Sequence, residues 1–80
     1  MNIKMKYGIG KNVYIPNLIN GYYVPLKVAI ASISVIILKG APPIIGYSFK
    51  YQREPLNESD CYETRPECQS ACDKLNGMVK

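Results

Sequence analysis

Three cysteines near the C-terminus are the residues of this chain best suited to chemistry. Cys61, Cys68 and Cys72 occur without a single histidine in the 80 residues. Three thiolates make at most an incomplete zinc site, their spacing matches no standard zinc pattern, and a catalytic thiol would lack a histidine base. We therefore predict one disulfide, joining Cys61 to either Cys68 or Cys72, with the third thiol buried or paired with another chain. The alternative is that all three are reduced packing residues.

A short helix is expected to position two of these cysteines. Thr64 and Glu67 have the spacing of a capping box, and Asn76-Gly77 supplies a stop signal. The pattern predicts a helix over about residues 65–75. Side chains at i, i+4 and i+7 share one face of a helix. That face consists of Cys68, Cys72 and Leu75.

One apolar block, Pro25–Phe49, dominates the middle of the chain. Tyrosines and a lysine flank each end of it, as aromatic and basic residues do at membrane interfaces. The 22 residues between Lys27 and Lys50 would form a helix of about 33 Å, which spans a hydrocarbon core. We therefore predict an all-α membrane protein with a single kinked transmembrane helix, extended polar tails and the short C-terminal helix. Its parts are a basic N-terminal segment (1–23), the transmembrane segment (24–51) and an acidic, cysteine-containing tail (52–80).

A defect interrupts the apolar block, where Lys39-Gly40 is followed by Pro42-Pro43. A lysine near the centre of a span costs roughly 2.5–3.5 kcal/mol, and prolines remove backbone donors and kink a helix. We expect Lys39, Pro42 and Pro43 to contact a neighbouring subunit that satisfies the ammonium and the freed carbonyls. Two other arrangements stay open. The helix ends at Leu38 and Ala41–Phe49 turns along the interface, or the block is a buried element of a soluble complex.

Charge is divided unequally along the chain. Residues 1–53 contain seven basic and no acidic side chains, whereas residues 54–80 contain three basic and six acidic ones. The positive-inside tendency places the N-terminus in the matrix or cytoplasm and the tail outside, in a compartment where disulfides persist. Scattered lysines, only two arginines and no recognition motif argue against nucleic acid as a partner.

The sequence shows no motif for catalysis. It contains no phosphate-binding glycine loop, no paired-carboxylate constellation and no nucleophile motif. We therefore predict that the chain is not an enzyme and has no metal, cofactor or small-molecule substrate. Its first ten residues lack the apolar core and cleavage site of a secretory signal, so the span itself is expected to direct import. Asn20-Gly21, just before the apolar block, is a turn signal.

The segment Val24–Tyr51 resembles the alpha-subcomplex subunit 3 family of accessory subunits of mitochondrial NADH:ubiquinone oxidoreductase (complex I). The shared features are Pro25 near the start of a span, Pro42-Pro43 late in it, and Ser48-Phe49-Lys50-Tyr51 at its close. The match covers about a third of the chain, and Lys39 and the cysteine tail depart from the family pattern. The resemblance implies a structural subunit that stabilises the membrane arm and carries no cofactor.

These observations lead to one expected function. The chain would be a non-catalytic accessory subunit of a large respiratory complex, with complex I as the first choice. It would cross the mitochondrial inner membrane once, with its N-terminus in the matrix and its tail in the intermembrane space, and contact other subunits and membrane lipid. The alternatives are an accessory subunit of cytochrome c oxidase or ATP synthase, a small regulatory or pore-forming membrane peptide, and a secreted disulfide module.

Overall fold

The computed structural model describes residues 4–50 and 54–78, and most of them form an antiparallel sheet followed by one helix. The elements in chain order are β1 (Asn12–Ile19), β2 (Tyr22–Ile36), β3 (Ile44–Phe49), β4 (Leu56–Asn57), a short 3-10 helix (Glu58–Asp60) and α1 (Arg65–Met78). The strands lie in the order β1-β2-β3-β4. Strand β2 is long enough to pair with β1 along its first half and with β3 along its second half.

The prediction of an all-α membrane protein with a single kinked transmembrane helix is wrong. The segment predicted to span the membrane contains most of β2, a loop and all of β3. Within the part of the chain that the structure describes, no helix combines the length and the apolar character needed to cross a membrane. The N-terminal segment is likewise not an extended tail, because it contributes β1. Tyr51, which belonged to one of the expected aromatic flanks, lies outside the described residues.

The composition of β2 explains why it is a strand rather than a helix. Val28 and Ile30, then Ile33 and Val35, are separated by alanine or serine, and this period of two places β-branched side chains on one face. The alternation slips by one residue between Ile30 and Ser32, where the register with β3 also shifts. A β-bulge, which inserts one extra residue into a strand, produces such a slip. Strand β2 therefore has a strand pattern with one interruption.

The turn between β1 and β2 confirms the Asn-Gly turn signal. Asn20 and Gly21 form a two-residue loop with φ angles of 52° and 85°, and the residues on either side of it, Ile19 and Tyr22, face each other across the hairpin. Positive φ at both loop positions is the geometry of a type I′ turn, which Asn-Gly favours because neither residue resists it strongly.

The residues expected to kink a helix instead form the loop between β2 and β3. The Ala41 N–H donates to the Leu38 C=O at 3.2 Å, and Gly40 has a φ of 79°. A positive φ at the third position of a four-residue turn is the requirement that glycine meets in a type II turn. Pro42-Pro43 follows before β3 begins, so its missing amide hydrogens remove no bond from the ladder.

The two faces of the sheet are covered by different parts of the chain. One face holds the main core, whose buried members are Tyr7, Val13, Ile15, Ile30, Tyr47, Phe49 and Cys61. Helix α1 packs on β1 and β2, and its Ala71 and Leu75 lie beside Pro16. Because Pro16 follows Ile15 in β1, it points to the opposite face of the sheet. The helix therefore covers the face that the main core leaves open.

Helix α1 begins at Arg65, where the capping box placed its start, and ends at Met78, beyond the expected end near residue 75. The Thr64 hydroxyl donates to the Glu67 carboxylate at 2.7 Å, and the Glu67 N–H donates back to Thr64 Oγ1 at 3.4 Å. Asn76 does not end the helix, and its side-chain amide instead bonds to the backbone of Tyr23 in β2. It accepts from the Tyr23 N–H at 2.7 Å and donates to the Tyr23 C=O at 3.1 Å.

Candidate functional site

The three cysteines occupy two separate places in the fold. Cys61 belongs to the main core, where its thiol lies 3.7 Å from the carbonyl oxygen of Asn57. Cys68 and Cys72 are fully buried, on the side of α1 that faces the sheet. All three are free thiols in the structure. The disulfide between Cys61 and one of the helix cysteines stays a prediction.

Burial holds the thiols of Cys61 and Cys68 in their neutral form. Removal from water raises the pKa of Cys61 to about 11, and the nearby Asp60 and Glu58 carboxylates act in the same direction. Burial also raises the pKa of Cys68 to about 12, assisted by the adjacent Cys72 thiol. A thiol becomes a nucleophile or a metal ligand through its thiolate, so raised pKa values disfavour both roles. The geometry fits packing residues.

A buried tyrosine organises the strongest polar contact. The Tyr47 hydroxyl donates to Glu58 Oε2 at 2.5 Å and accepts from the Tyr7 N–H at 3.2 Å. The Lys6 N–H donates to the same Glu58 oxygen at 2.9 Å. Burial, followed by the bond to Glu58, raises the pKa of Tyr47 to about 12, so its proton is not available for acid catalysis near neutral pH. This network ties residues 6–7 to β3 and the 3-10 helix.

No other constellation for chemistry emerges in the residues that the structure describes. Among them, no group of three or more cysteine, aspartate or glutamate side chains is placed to hold a metal ion. The exposed ion pair between Lys11 Nζ and Glu63 Oε1 spans 4.0 Å, and a surface pair of this kind contributes little to stability. The candidate functional features described below are surfaces.

One of these surfaces lies at the end of the β2–β3 hairpin. We call it the apolar tip, and it consists of Val35, Ile36, Ile37, Leu38 and Ile44. Each of these side chains is exposed, and Ile36 lies directly opposite Ile44 across the two strands. The loop of the same hairpin contains the residues expected to contact a partner. Lys39 and Pro42 are exposed there, and Pro43 is half-buried.

The apolar tip belongs to the basic half of the molecule. Each described lysine in residues 4–50 is exposed, and this range contains no aspartate or glutamate. The acidic side chains instead lie between residues 54 and 73, on the 3-10 helix, α1 and the segments beside them. The uneven charge of the sequence thus becomes a basic sheet and a more acidic C-terminal part in the folded chain.

Comparison with known proteins gives no functional lead: neither a family model, nor a curated protein, nor a solved structure matches this chain.

Sequence reasoning missed Tyr47, Glu58 and Asn76 as structural contacts. Glu58 follows Tyr47 by eleven residues, and Asn76 follows Tyr23 by 53. Contacts at such separations leave no local pattern in one sequence. The apolar tip did leave a signal, since its five aliphatic residues lie on both sides of Lys39 and a Pro-Pro step. The same signal is typical of a membrane span, which is why the sequence predicts one.

Proposed function

We propose that this chain is a non-catalytic binding subunit that docks its apolar tip onto another protein. The observation that supports the proposal is the exposure of adjacent aliphatic side chains at the hairpin end. Ile36, Ile37 and Leu38 are 52%, 56% and 53% exposed. Single exposed aliphatic residues are ordinary in soluble proteins, but contiguous apolar patches mark interaction sites.

The charge around the apolar tip defines the chemistry of the partner. Lys39 lies in the turn at its end, and residues 4–50 contain no acidic side chain. An apolar recess with aspartate or glutamate at its rim complements this surface. A lipid bilayer fits less well, because deep insertion of the turn would carry the Lys39 ammonium toward hydrocarbon at a cost of roughly 2.5–3.5 kcal/mol.

The apolar tip would supply only part of the binding energy. Complete burial of an isoleucine or leucine side chain contributes about 1.5–3 kcal/mol. The residues of the apolar tip have already lost roughly half of their accessible surface within the hairpin. The five together would then contribute on the order of 5 kcal/mol, close to the lower estimate for the cost of association, about 4 kcal/mol. Docking therefore also needs the ionic pairing at Lys39 or a second contact.

The narrower functional assignments stay predictions. Membership of complex I rests on the resemblance of Val24–Tyr51, and the described part of that segment forms strands and a loop where the family has a span. Localisation to the mitochondrial inner membrane and contact with membrane lipid rest on the same segment. The present proposal depends on exposed apolar area and charge. It is therefore independent of the cellular compartment in which the chain resides.

Site-specific photo-cross-linking in the cells that express the chain tests the proposal. A benzophenone amino acid replaces Ile37 in one variant and Ile9 in the matched control, since Ile9 is also exposed, at 70%, but lies in the N-terminal segment. We expect a discrete protein adduct from position 37 that position 9 does not give. Adding Lys39→Glu should abolish this adduct.

Three outcomes would contradict the proposal. Adducts that consist only of the chain itself would show self-association. A lipid adduct, together with flotation of the purified chain on anionic vesicles, would show that the apolar tip meets a membrane surface. Identical adducts from positions 37 and 9 would show that contact at the hairpin end is non-specific.

A further inference from the structure

Strand β2 has an unpaired edge along its first half. It lies between β1 and β3 in the sheet. Its residues Tyr22–Ala29 pair with β1, whereas β3 pairs with it only from Ile30 onward. The side of Tyr22–Ala29 that faces away from β1 is therefore left without a neighbouring strand among the described residues.

The hydrogen-bond pattern shows which peptide groups point to this edge. The Tyr14 N–H donates to the Tyr62 C=O at 2.8 Å, and the Tyr62 N–H donates to the Tyr14 C=O at 2.9 Å, on the side of β1 away from β2. Tyr14 lies opposite Lys27. Opposite residues in an antiparallel pair alternate between bonded and non-bonded, so Tyr14 and Lys27 form a non-bonded pair. The Lys27 N–H and C=O must then point outward, to the unpaired edge.

Described residues already protect parts of this edge, but none of them bonds the outward peptide groups of Lys27. The outward N–H and C=O of Tyr23 are bonded by the Asn76 side chain. Pro25, two residues further, has no N–H to leave unpaired. No hydrogen bond joins the outward peptide groups of Lys27 to any residue that the structure describes. Proteins usually protect such edges, because unpaired strand groups template the addition of another strand.

An apolar groove lies directly beside this unprotected edge. Its volume is about 580 Å³, and its walls include Ile15, Leu26, Val28 and Phe49, with Lys27 and Lys50 also lining it. This volume lies in the range of roughly 300–1,000 Å³ that is typical of binding sites. Leu26 is 40% exposed, so the groove opens to solvent next to the free peptide groups of Lys27.

We propose that an extended segment of a partner protein adds to β2 at Lys27, with an acidic residue flanked by two apolar ones. A residue paired with Lys27 exchanges two backbone hydrogen bonds with it and projects on the same face of the sheet as the lysine. A carboxylate at that position meets the ammonium. Its two neighbours project on the opposite face, beside Leu26 and Val28, into the groove. The site thus selects an apolar–acidic–apolar strand.

A second copy of the chain is a poorer occupant of this edge. In a two-fold symmetric dimer formed through the edge at Lys27, the two Lys27 side chains would be placed close together, and like charges directly opposite each other are destabilising. An acidic peptide instead complements the charge of Lys27. The proposal also stands independently of the apolar tip, which lies at the other end of β2.

Synthetic peptides and the full chain test the proposal by NMR titration. The probe is the capped pentapeptide Thr-Val-Glu-Val-Thr, and the matched control has lysine in place of glutamate. We expect the glutamate peptide to bind about fivefold more tightly than the lysine peptide, and Lys27→Glu to reverse that order. Replacing the glutamate amide of the peptide by an ester should weaken binding about fivefold, because it removes one backbone donor. The Lys27 amide should shift and become protected from exchange.

Two controls make the outcomes decisive. Lys39→Glu should leave peptide binding unchanged, which separates this site from the apolar tip. A folded chain that binds neither peptide would overturn the proposal, as would binding that is indifferent to both the ester and Lys27→Glu. A concentration-dependent dimer that protects the Lys27 amide without peptide would show that a second copy fills the edge instead.

Discussion

Replacement of Tyr47 by phenylalanine probes the polar contact that fastens the N-terminal segment to the sheet. The hydroxyl that would be lost donates to Glu58 at 2.5 Å and accepts from the Tyr7 N–H at 3.2 Å. Tyr47 is fully buried. Loss of the hydroxyl would therefore leave the Tyr7 N–H without its partner in a buried environment.

The magnitude follows from the two bonds. A hydrogen bond to a charged group contributes about 1.5–3 kcal/mol, and a buried donor left unpaired costs about 1–3 kcal/mol. The two contributions are not fully additive, because the core relaxes around the missing hydroxyl. We therefore expect Tyr47→Phe to lower the free energy of unfolding by about 3 kcal/mol. For a domain of this size that corresponds to a fall in Tm of about 12–24 °C.

Urea unfolding followed by tyrosine fluorescence or circular dichroism measures this change. Tyr22→Phe is the matched control, because Tyr22 is 67% exposed and its substitution should cost no more than about 0.5 kcal/mol. A double-mutant cycle with Glu58→Gln isolates the coupling between the two side chains. If Tyr47→Phe is as stable as Tyr22→Phe, the network is not formed and the reasoning fails.

Two further predictions concern stability. Gly46→Ala should lower the free energy of unfolding by about 1–3 kcal/mol, because an added Cβ would lie 2.8 Å from Pro55 Cβ. The control is Gly8→Ala, where the added Cβ meets nothing within 4 Å. Equal stability of the two variants in thermal unfolding would contradict this prediction. The free energy of unfolding should also fall as pH rises above about 9, because unfolded thiols ionise there while folded Cys61 and Cys68 stay neutral to a pKa of about 11 and 12. The slope approaches 1.4 kcal/mol per pH unit and thiol, and a flat profile of urea midpoints between pH 9 and 11 would refute it.

Local signals in the sequence predicted the elements that are governed by a few neighbouring residues. The pair Thr64 and Glu67 placed the start of α1, because a capping box is complete within four residues. Asn20-Gly21 predicted the β1–β2 turn, because positive φ is a property of the two residues themselves. The end of α1 was harder to predict from sequence, since Asn76 bonds to Tyr23, which is distant along the chain.

The apolar block shows why the rest of the fold was missed. Length and mean apolar character favoured a span, but the alternation of Val28 and Ile30 with alanine was the better signal. The bulge near Ala31 shifts the alternation by one residue, so Ile33 and Val35 no longer match a strict period of two. Period two holds within each half of β2 but not across the bulge, so the strand pattern is hidden when the whole block is considered together.

The surfaces were harder to predict than the secondary structure. Exposure of the apolar tip depends on which strands surround it, and the sequence alone does not contain that information. The edge at Lys27 is still harder to predict from sequence. It depends on where the pairing of β2 with β1 and the pairing of β2 with β3 each end. Both surfaces can be inferred only once the structure shows that β2 extends beyond β1 at one end and beyond β3 at the other.

The central claim is that the apolar block forms the strands of a folded sheet with an exposed hairpin end, and one NMR measurement tests it most directly. Tyr14 and Lys27 form a non-bonded antiparallel pair, in which the Cα atoms lie about 4.5 Å apart. We expect a strong nuclear Overhauser effect between their Hα protons. Its absence, together with Hα-to-Hβ effects between residues i and i+3 through residues 25–38, would show a helix and contradict the account.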